Sequence, residues 1–431
     1  MEIVAVILLL VVLVMIMLGY PVAFSLAGVS IIAGIFLVPD FLDFLPLRIM
    51  GIIQNYVLIS VPLFIFMGLI LEKTGIAEDL LRAMAALFGK FPGGMAISVV
   101  LVGGMLAAST GIVGATVITM GLISLPAMQR VGYHKGLSTG TIAASGTLGQ
   151  IIPPSVVLVL LGSVLNVPVG DLFKGAVVPG ILLVIFYIIY ILIISFVRPE
   201  WAPPLEESEI AIIKQNNFAL HLIKALFMPL ILVVAVLGSI FMGIASPTEA
   251  AAVGAVGAMV LAGIKKKLNR QTLRLVMAET SGLTTMVFFI LIGATAFALV
   301  FRGLGGDTLL TSFFSDGSIS ATHFLIILML IVFVAGFFID FIEIIFILVP
   351  VVAPVLMMYK LDLIWVGILL AVNLQTSFIT PPFGFALFYL KGVTPPEIKT
   401  KDIYAGIIPF LCIQILVFVL VFVFPEIINI I

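Results

Sequence analysis

Ser145-Gly-Thr-Leu-Gly-Gln-Ile-Ile-Pro-Pro-Ser155 decides how this chain folds. The stretch lies inside an apolar run from Leu137 to Leu165, long enough to cross a bilayer as a helix, which takes about 20 residues. A Pro-Pro pair cannot continue that helix. Pro153 and Pro154 have no N–H, so the carbonyls of Gly149 and Gln150 lose their donors. In lipid, such carbonyls are tolerated only where protein, water or an ion takes them over. The same device returns at Asn373-Leu-Gln-Thr-Ser-Phe-Ile-Thr-Pro-Pro-Phe-Gly384, where Pro381 and Pro382 free the carbonyls of Ser377 and Phe378. The two pairs stand 228 residues apart in a chain of 431. Broken helices at corresponding places in two halves are the best sequence pointer to the binding site of a secondary transporter.

Composition agrees with a membrane protein. The chain is 63% hydrophobic and 10% charged, whereas soluble domains carry about 25% charged residues. It reads as an all-α polytopic membrane protein with lipid as its surroundings. The net charge of −1, with no basic tract longer than Lys265–Lys267, points to no nucleic-acid partner. Cys412 stands alone, which leaves no disulfide or thiolate metal site, and is expected to be a buried small hydrophobe. The apolar stretch Ile3–Leu18 lacks a positive n-region and a small-residue cleavage site, so it reads as a retained first span. Enzyme signatures are lacking: His134, His221 and His323 are scattered, and no Walker A loop, His-Glu-x-x-His or Gly-x-Ser-x-Gly motif occurs.

Residues 94–127 run for 34 positions without a charge. That is too long for one span and too short for two, and the middle, Ala107-Ala-Ser-Thr-Gly111, is small and polar. A re-entrant hairpin with its tip at Ser109–Gly111 is the economical reading. Residues 322–358 repeat the signature, with Asp340 and Glu343 following Gly336 at the centre. Pro126 and Pro354, toward the ends of the two hairpins, are again 228 residues apart, and Asp171-Leu-Phe-Lys-Gly175 echoes Asp402-Ile-Tyr-Ala-Gly406. The expected organisation is therefore a first half, 1–197, with hairpin 94–127 and broken helix 137–165. A charged linker, 198–219, follows. The second half, 220–431, contains hairpin 322–358 and broken helix 363–390.

Counting crossings with both hairpins re-entrant sorts the basic residues sixteen to four. Arg48, Lys174, Arg302 and Lys360 fall on the sparse side, and the remaining sixteen mark the cytoplasmic face. Both termini are then outside, and the halves are inverted, the arrangement of alternating-access carriers.

A hairpin tip beside a broken helix brings carbonyls and hydroxyls together near the bilayer midplane, which suits Na⁺. A first cation site is expected from Ser109, Thr110, Gly111, Ser145, Leu148 and Ile151. A second is expected from Gly336, Asp340, Asn373, Thr376 and Ile379. For each hydroxyl the competing reading is a bond back to a helical carbonyl. The helix N-termini after the breaks, at Ser155 and Gly384, should offer N–H groups to a carboxylate substrate, with Gln150, Pro154, Thr380 and Pro382 beside them. An acid inside the membrane is functional by default, so Asp340 is expected to bear on the cation. Glu343 reads equally well as structural. Glu249 in Ser246-Pro-Thr-Glu-Ala250 reads as a helix-capping acid.

Taken together, Gly149–Ser155, Ser246–Val253, Gly336–Pro354 and Thr380–Gly384 resemble the large membrane subunit of tripartite ATP-independent periplasmic (TRAP) transporters. The resemblance spans nearly the whole chain. It implies an ion-transporter-like elevator fold, Na⁺ coupling and no other cofactor. It also implies two partners: a small four-helix membrane subunit on a separate chain and a soluble periplasmic substrate-binding protein. Residues 373–389 look most like the mannitol/chloroaromatic branch, which implies a 2-oxo or 2-hydroxy monocarboxylate. Phe341-Ile-Glu343 departs from the family, where a small hydroxyl residue commonly follows the acid. A stand-alone Na⁺- or H⁺-coupled carboxylate carrier or antiporter is the alternative.

Overall fold

Long apolar runs leave the backbone one way to pair its polar groups in lipid, within the helix itself. The computed structural model describes residues 2–110, 113–206, 218–315 and 319–430, with side chains for all of these except 77, 107–110 and 218–226. Within them the regular structure is helical throughout. Helices α1 (Glu2–Met17) and α2 (Val22–Leu37) are followed by the short α3 (Pro39–Leu42) and the amphipathic α4 (Leu45–Ile53). A 3₁₀ turn, Tyr56–Ile59, leads into α5 (Ser60–Lys73), and α6 (Ile76–Phe88) is again amphipathic. The first charge-free run forms α7 (Gly94–Thr110) and α8 (Val113–Arg130). The first broken helix is α9 (Lys135–Thr147), a 3₁₀ turn at Leu148–Gln150, and α10 (Val156–Leu165), followed by α11 (Val169–Val197).

In the second half α12 (Phe218–Phe241), α13 (Pro247–Ile264) and α14 (Arg270–Gly303) come first, then α15 (Gly306–Ser315). The second polar-centred run forms α16 (Ala321–Ala335) and α17 (Phe341–Met358). The second broken helix is α18 (Leu363–Phe378) and α19 (Phe385–Val393), and α20 (Thr400–Val423) closes the chain. Among the described residues, six stretches are long and apolar enough to cross a membrane: Tyr56–Lys73, Val169–Val197, Pro247–Ile264, Arg270–Gly303, Phe341–Met358 and Thr400–Val423. The 18 residues of α17 make about 27 Å of helix, so this arm is longer than a half-depth hairpin arm needs to be.

The helices sort into two packed groups. In one, α2 lies along α14 and α5 along α13, with α12 beside α13. In the other, α9 is held between α7, α8 and α20. The two broken helices cross over: α10 packs on α17, and α19 packs on α8. Each outer half-helix thus rests on an arm from the opposite half of the sequence.

One sequence expectation changes. Cys412 is exposed on α20 rather than buried, because α20 turns that face away from α9, α11 and α18. The start of the 198–219 linker is tied to the first half. His134 and Gly93 donate backbone N–H bonds to the carbonyls of Trp201 and Ala202, both at 2.9 Å. The rings of His134 and Trp201 stack 4.0 Å apart. Burial outweighs the pull of Asp402 and holds the His134 imidazole below its ordinary pKa.

The contact between α9 and α20 is made by glycines. A Cβ on Gly140 would collide with the Gly406 carbonyl, and one on Gly406 with the Gly136 carbonyl. Gly136 and Gly140 form the small-xxx-small spacing that lets membrane helices meet backbone to backbone. Gly406→Ala should therefore lower stability in detergent by about 1–3 kcal/mol through overpacking. Gly282→Ala, where a Cβ meets nothing within 4 Å, should instead raise it by about 0.5–1 kcal/mol. Thermal unfolding of the two variants side by side checks the contact; similar shifts would mean that α9 and α20 are not in backbone contact.

Candidate functional site

At the first break Pro153 and Pro154 are joined by a cis peptide bond. The freed carbonyl of Gln150 accepts a hydrogen bond from the Ser155 hydroxyl at 2.8 Å. That hydroxyl also accepts from the Leu158 N–H at 3.5 Å, capping α10. Ser155 therefore caps its own helix through its hydroxyl. Ser145, Leu148 and Ile151 are fully buried here. The Ser145 hydroxyl donates to the Ile142 carbonyl at 3.1 Å, and the Ile151 N–H donates to the Leu148 carbonyl at 3.1 Å. Gly103 of α7 lies so close to Ser145 that a Cβ would be 2.6 Å from its own Cβ. Arm α7 therefore abuts the broken helix at this residue. Gly111 and the side chains of Ser109 and Thr110 lie outside the described residues.

The second break follows the same logic with different residues. Pro381 and Pro382 are also joined cis. The Ser377 carbonyl is recovered by the Thr380 N–H at 3.1 Å, and the Thr376 carbonyl accepts the Thr380 hydroxyl at 2.7 Å. Tyr404 of α20 donates its hydroxyl to the Pro382 carbonyl at 2.9 Å. The N–H of Gly384 donates to the Thr380 carbonyl at 3.0 Å, so it is not the free donor expected there. Any anion-facing donors begin in the first turn beyond it. Gly384 has a separate reason to be glycine: a Cβ there would lie 2.5 Å from the Phe378 carbonyl oxygen.

Asp340 and Glu343 form a capping box on α17. The Asp340 carboxylate accepts from the Phe341 N–H at 2.6 Å, and Glu343 accepts from the Asp340 N–H at 3.2 Å. This gives Glu343 a structural role, as the N3 partner of the cap. Ser246 and Glu249 make the same box at the start of α13. Gly336 meets α18 at Ser377, whose hydroxyl occupies the place of a glycine Cβ. Asn373 donates to the Met329 carbonyl of α16 at 2.6 Å. The Thr376 hydroxyl donates to the Val372 carbonyl at 2.8 Å, which leaves its lone pairs available. Ile379 is buried, with its N–H directed to the Thr376 carbonyl at 3.4 Å. The structure thus brings Gly336 against Ser377, the neighbour of Thr376 in α18, with Asp340 ending the same α16–α17 break.

Sequence reasoning passed over three residues. Ser377 is the direct contact of Gly336. Gln375 is fully buried with no hydrogen-bond partner for either amide atom among the described residues, a condition it shares with Gln150. Gln414 of α20 donates to the Tyr187 hydroxyl at 2.7 Å and to Thr147 at 3.5 Å, beside the first break. A lone amide in an apolar membrane run is the signal that could have found Gln375 and Gln414. An unpaired buried amide costs stability, and an apolar group of similar shape removes that cost. Gln375→Leu should therefore leave the protein as stable or stabilise it by up to about 3 kcal/mol in thermal unfolding. A marked loss of stability would mean that the amide is held by groups within the fold.

A family model described as "Tripartite ATP-independent periplasmic transporter, DctM component" matches residues 9–427. The C4-dicarboxylate TRAP transporter large permease protein DctM of Pseudomonas aeruginosa is 33% identical over 357 residues, covering 83% of this chain and 82% of that protein. The sialic acid TRAP transporter large permease protein SiaM of Vibrio cholerae is 28% identical over 409 residues, covering 95% and 93%. Among solved structures, the YdaH transporter of Alcanivorax borkumensis superposes with a TM-score of 0.65 at 14% identity, covering 94% of this chain and 96% of that one. At that identity the likeness concerns the fold alone.

Proposed function

The chain belongs to the DctM-component family of tripartite ATP-independent periplasmic transporters and is a multi-pass protein of the bacterial inner membrane; from that premise we propose that it carries a small organic acid anion inward, coupled to Na⁺. The anion is a carboxylate, a 2-oxo or 2-hydroxy monocarboxylate being the form expected for its branch. A soluble periplasmic binding protein hands it over, and a small membrane subunit completes the carrier. The named relatives differ in substrate, C4-dicarboxylate for one and sialic acid for another, so the substrate of this chain rests on its own residues.

One observation carries the reading. Each Pro-Pro break has its outer half-helix on an arm of the opposite half, α10 on α17 and α19 on α8. That pairing supports two inverted repeats with re-entrant hairpins, moving together as an elevator against the α2–α14 and α5–α13 group. We assign the Na⁺ ligands to the two breaks: Ser145, Leu148 and Ile151 at the first, and Gly336, Asp340, Asn373, Thr376 and Ile379 at the second. Carbonyls and hydroxyls are the ligand types such breaks supply to Na⁺. The first turns of α10 and α19 present helix N-termini to the carboxylate.

Thr376→Val keeps the shape and removes the hydroxyl. It should raise the Na⁺ concentration for half-maximal uptake about ten-fold, if one charge-assisted ligand is worth about 1.5 kcal/mol. Thr141 is fully buried, and its hydroxyl has no partner among the described residues; Thr141→Val should change the Na⁺ dependence little. Uptake into proteoliposomes under imposed Na⁺ gradients reads both. An unchanged Na⁺ dependence in Thr376→Val would remove its side chain from the site.

Partner dependence is the companion test. The two membrane subunits together should take up little free substrate, and adding the loaded binding protein should restore transport. Full uptake by this chain alone would favour a stand-alone carrier.

A further inference from the structure

A cavity of about 380 Å³ opens between the two packed groups, away from both breaks. Its walls come from α4, the Tyr56–Ile59 turn and α14 on one side, and from α10 and α17 on the other. Arg48, Arg302, Asn55, Asn166, Ser163 and Thr295 are its polar lining. Two of the four basic residues that the charge sort places outside therefore converge on one cavity. Arg302 is paired with Asp307 at 2.8 Å. Arg48 forms no ion pair among the described residues. Asn55 donates to Ser163 at 3.1 Å, which joins the two walls.

The position follows from helix geometry. Ser163 and Asn166 lie at the far end of α10 from the first break. The ten residues of α10 make about 15 Å, half of a hydrocarbon core about 30 Å thick. If the break sits at the midplane, the cavity sits at the outer interface.

We propose that this cavity is an outer binding site for a carboxylate anion, with Arg48 as its principal positive charge, occupied before the anion reaches the breaks. The proposal rests on the carboxylate reading above. A guanidinium meets a carboxylate in a two-pronged geometry. An unpaired one in a concave, partly apolar site raises the local concentration of anions. The lining is too polar for a lipid chain, and its net charge is too positive for a cation.

Gly51 lines the cavity and has nothing within 4 Å of a built Cβ, so Gly51→Cys is a reporter that fits. In a Cys412→Ser background, the complex of both membrane subunits is placed in phosphatidylcholine nanodiscs. It is then labelled with an anionic (sulfonatoethyl) and a cationic (trimethylammonioethyl) methanethiosulfonate. Arg48→Gln should lower the anionic-to-cationic rate ratio about ten-fold, the loss of one charge-assisted contact. Arg48→Lys should keep most of the ratio, and Lys360→Gln should leave it unchanged. Pyruvate or lactate should slow labelling of the Arg48 protein, while chloride at the same concentration should not. An unchanged ratio in Arg48→Gln, or protection by pyruvate that survives it, overturns the outer site. So does protection by anionic lipid with none by either carboxylate. Intact carboxylate uptake with no change in KM in Arg48→Gln would sink this site and leave the transport reading standing. A wild-type complex that takes up no carboxylate would sink the transport reading, and absence of carboxylate protection would then sink the outer site with it.

Discussion

A membrane offers no water to a broken helix. Everything in this fold follows from having two such breaks and no solvent to repair them. The repairs are local first. Ser155 closes on the Gln150 carbonyl, Thr380 on the Thr376 and Ser377 carbonyls, and Tyr404 reaches across from α20 to the Pro382 carbonyl. They are then completed by burial. Residues 136–150 of the first broken helix are buried without exception, which takes neighbours on every side, and α7, α8 and α20 supply them. The glycines at 103, 136, 140, 336 and 406 are the cost of that enclosure, since a methyl group at any of them would push the packed backbone or side chain away.

Enclosure fixes which parts travel together. Helix α9 is locked to α20 by backbone contact, α10 rests on α17, and α19 rests on α8. Neither break can shift without carrying arms from both halves of the sequence. Against the α2–α14 and α5–α13 group the polar ties are thinner. Thr119 of α8 donates to Glu72 of α5 at 3.0 Å, and Asn55 donates to Ser163 of α10 at 3.1 Å. A boundary held by apolar packing and few hydrogen bonds is where sliding costs least, as the proposed elevator needs.

How much of this was legible in the sequence depends on whether a single residue type forces the outcome. Proline does. The breaks at 151–155 and 379–384 fall where the Pro-Pro pairs require them, because a missing N–H cannot be compensated by context. The Ser246–Glu249 cap was equally readable, since its spacing specifies both hydrogen bonds. Side-chain roles at the breaks were not. The N–H of Gly384 was expected to be a free donor, yet it closes a local turn onto the Thr380 carbonyl. A hydroxyl or N–H next to a freed carbonyl satisfies it before any ligand can, and spacing alone does not rank the two partners. Cys412 was misplaced for a related reason: in a uniformly apolar helix, periodicity does not say which face meets lipid and which meets protein. Gln375 and Gln414 were visible as amides in apolar runs, but their unpaired or shared bonds appear only once α18, α20 and the first break are in place.

The placing of charge bears on what kind of binding the centre can provide. Neither broken helix, 137–165 or 363–390, contains a single Lys, Arg, Asp or Glu. An anion at the breaks would meet dipoles alone, from the first turns of α10 and α19 and the unpaired amides of Gln150 and Gln375. Full positive charge stands at the rim, on Arg48 and Arg302. A buried guanidinium at the centre would hold a carboxylate strongly in a medium of low dielectric, and a carrier must also let go. Under the proposed reading, dipoles grade the attraction: enough to replace water around the anion, too little to trap it. Two amides at 0% exposure with no partner among the described residues cost stability. Such a loss is tolerated where function requires polar groups to remain free. They stand beside the two breaks, on α18 and on the 3₁₀ turn that packs against it; under the proposed reading the centre selects by hydrogen bonding and the rim by charge.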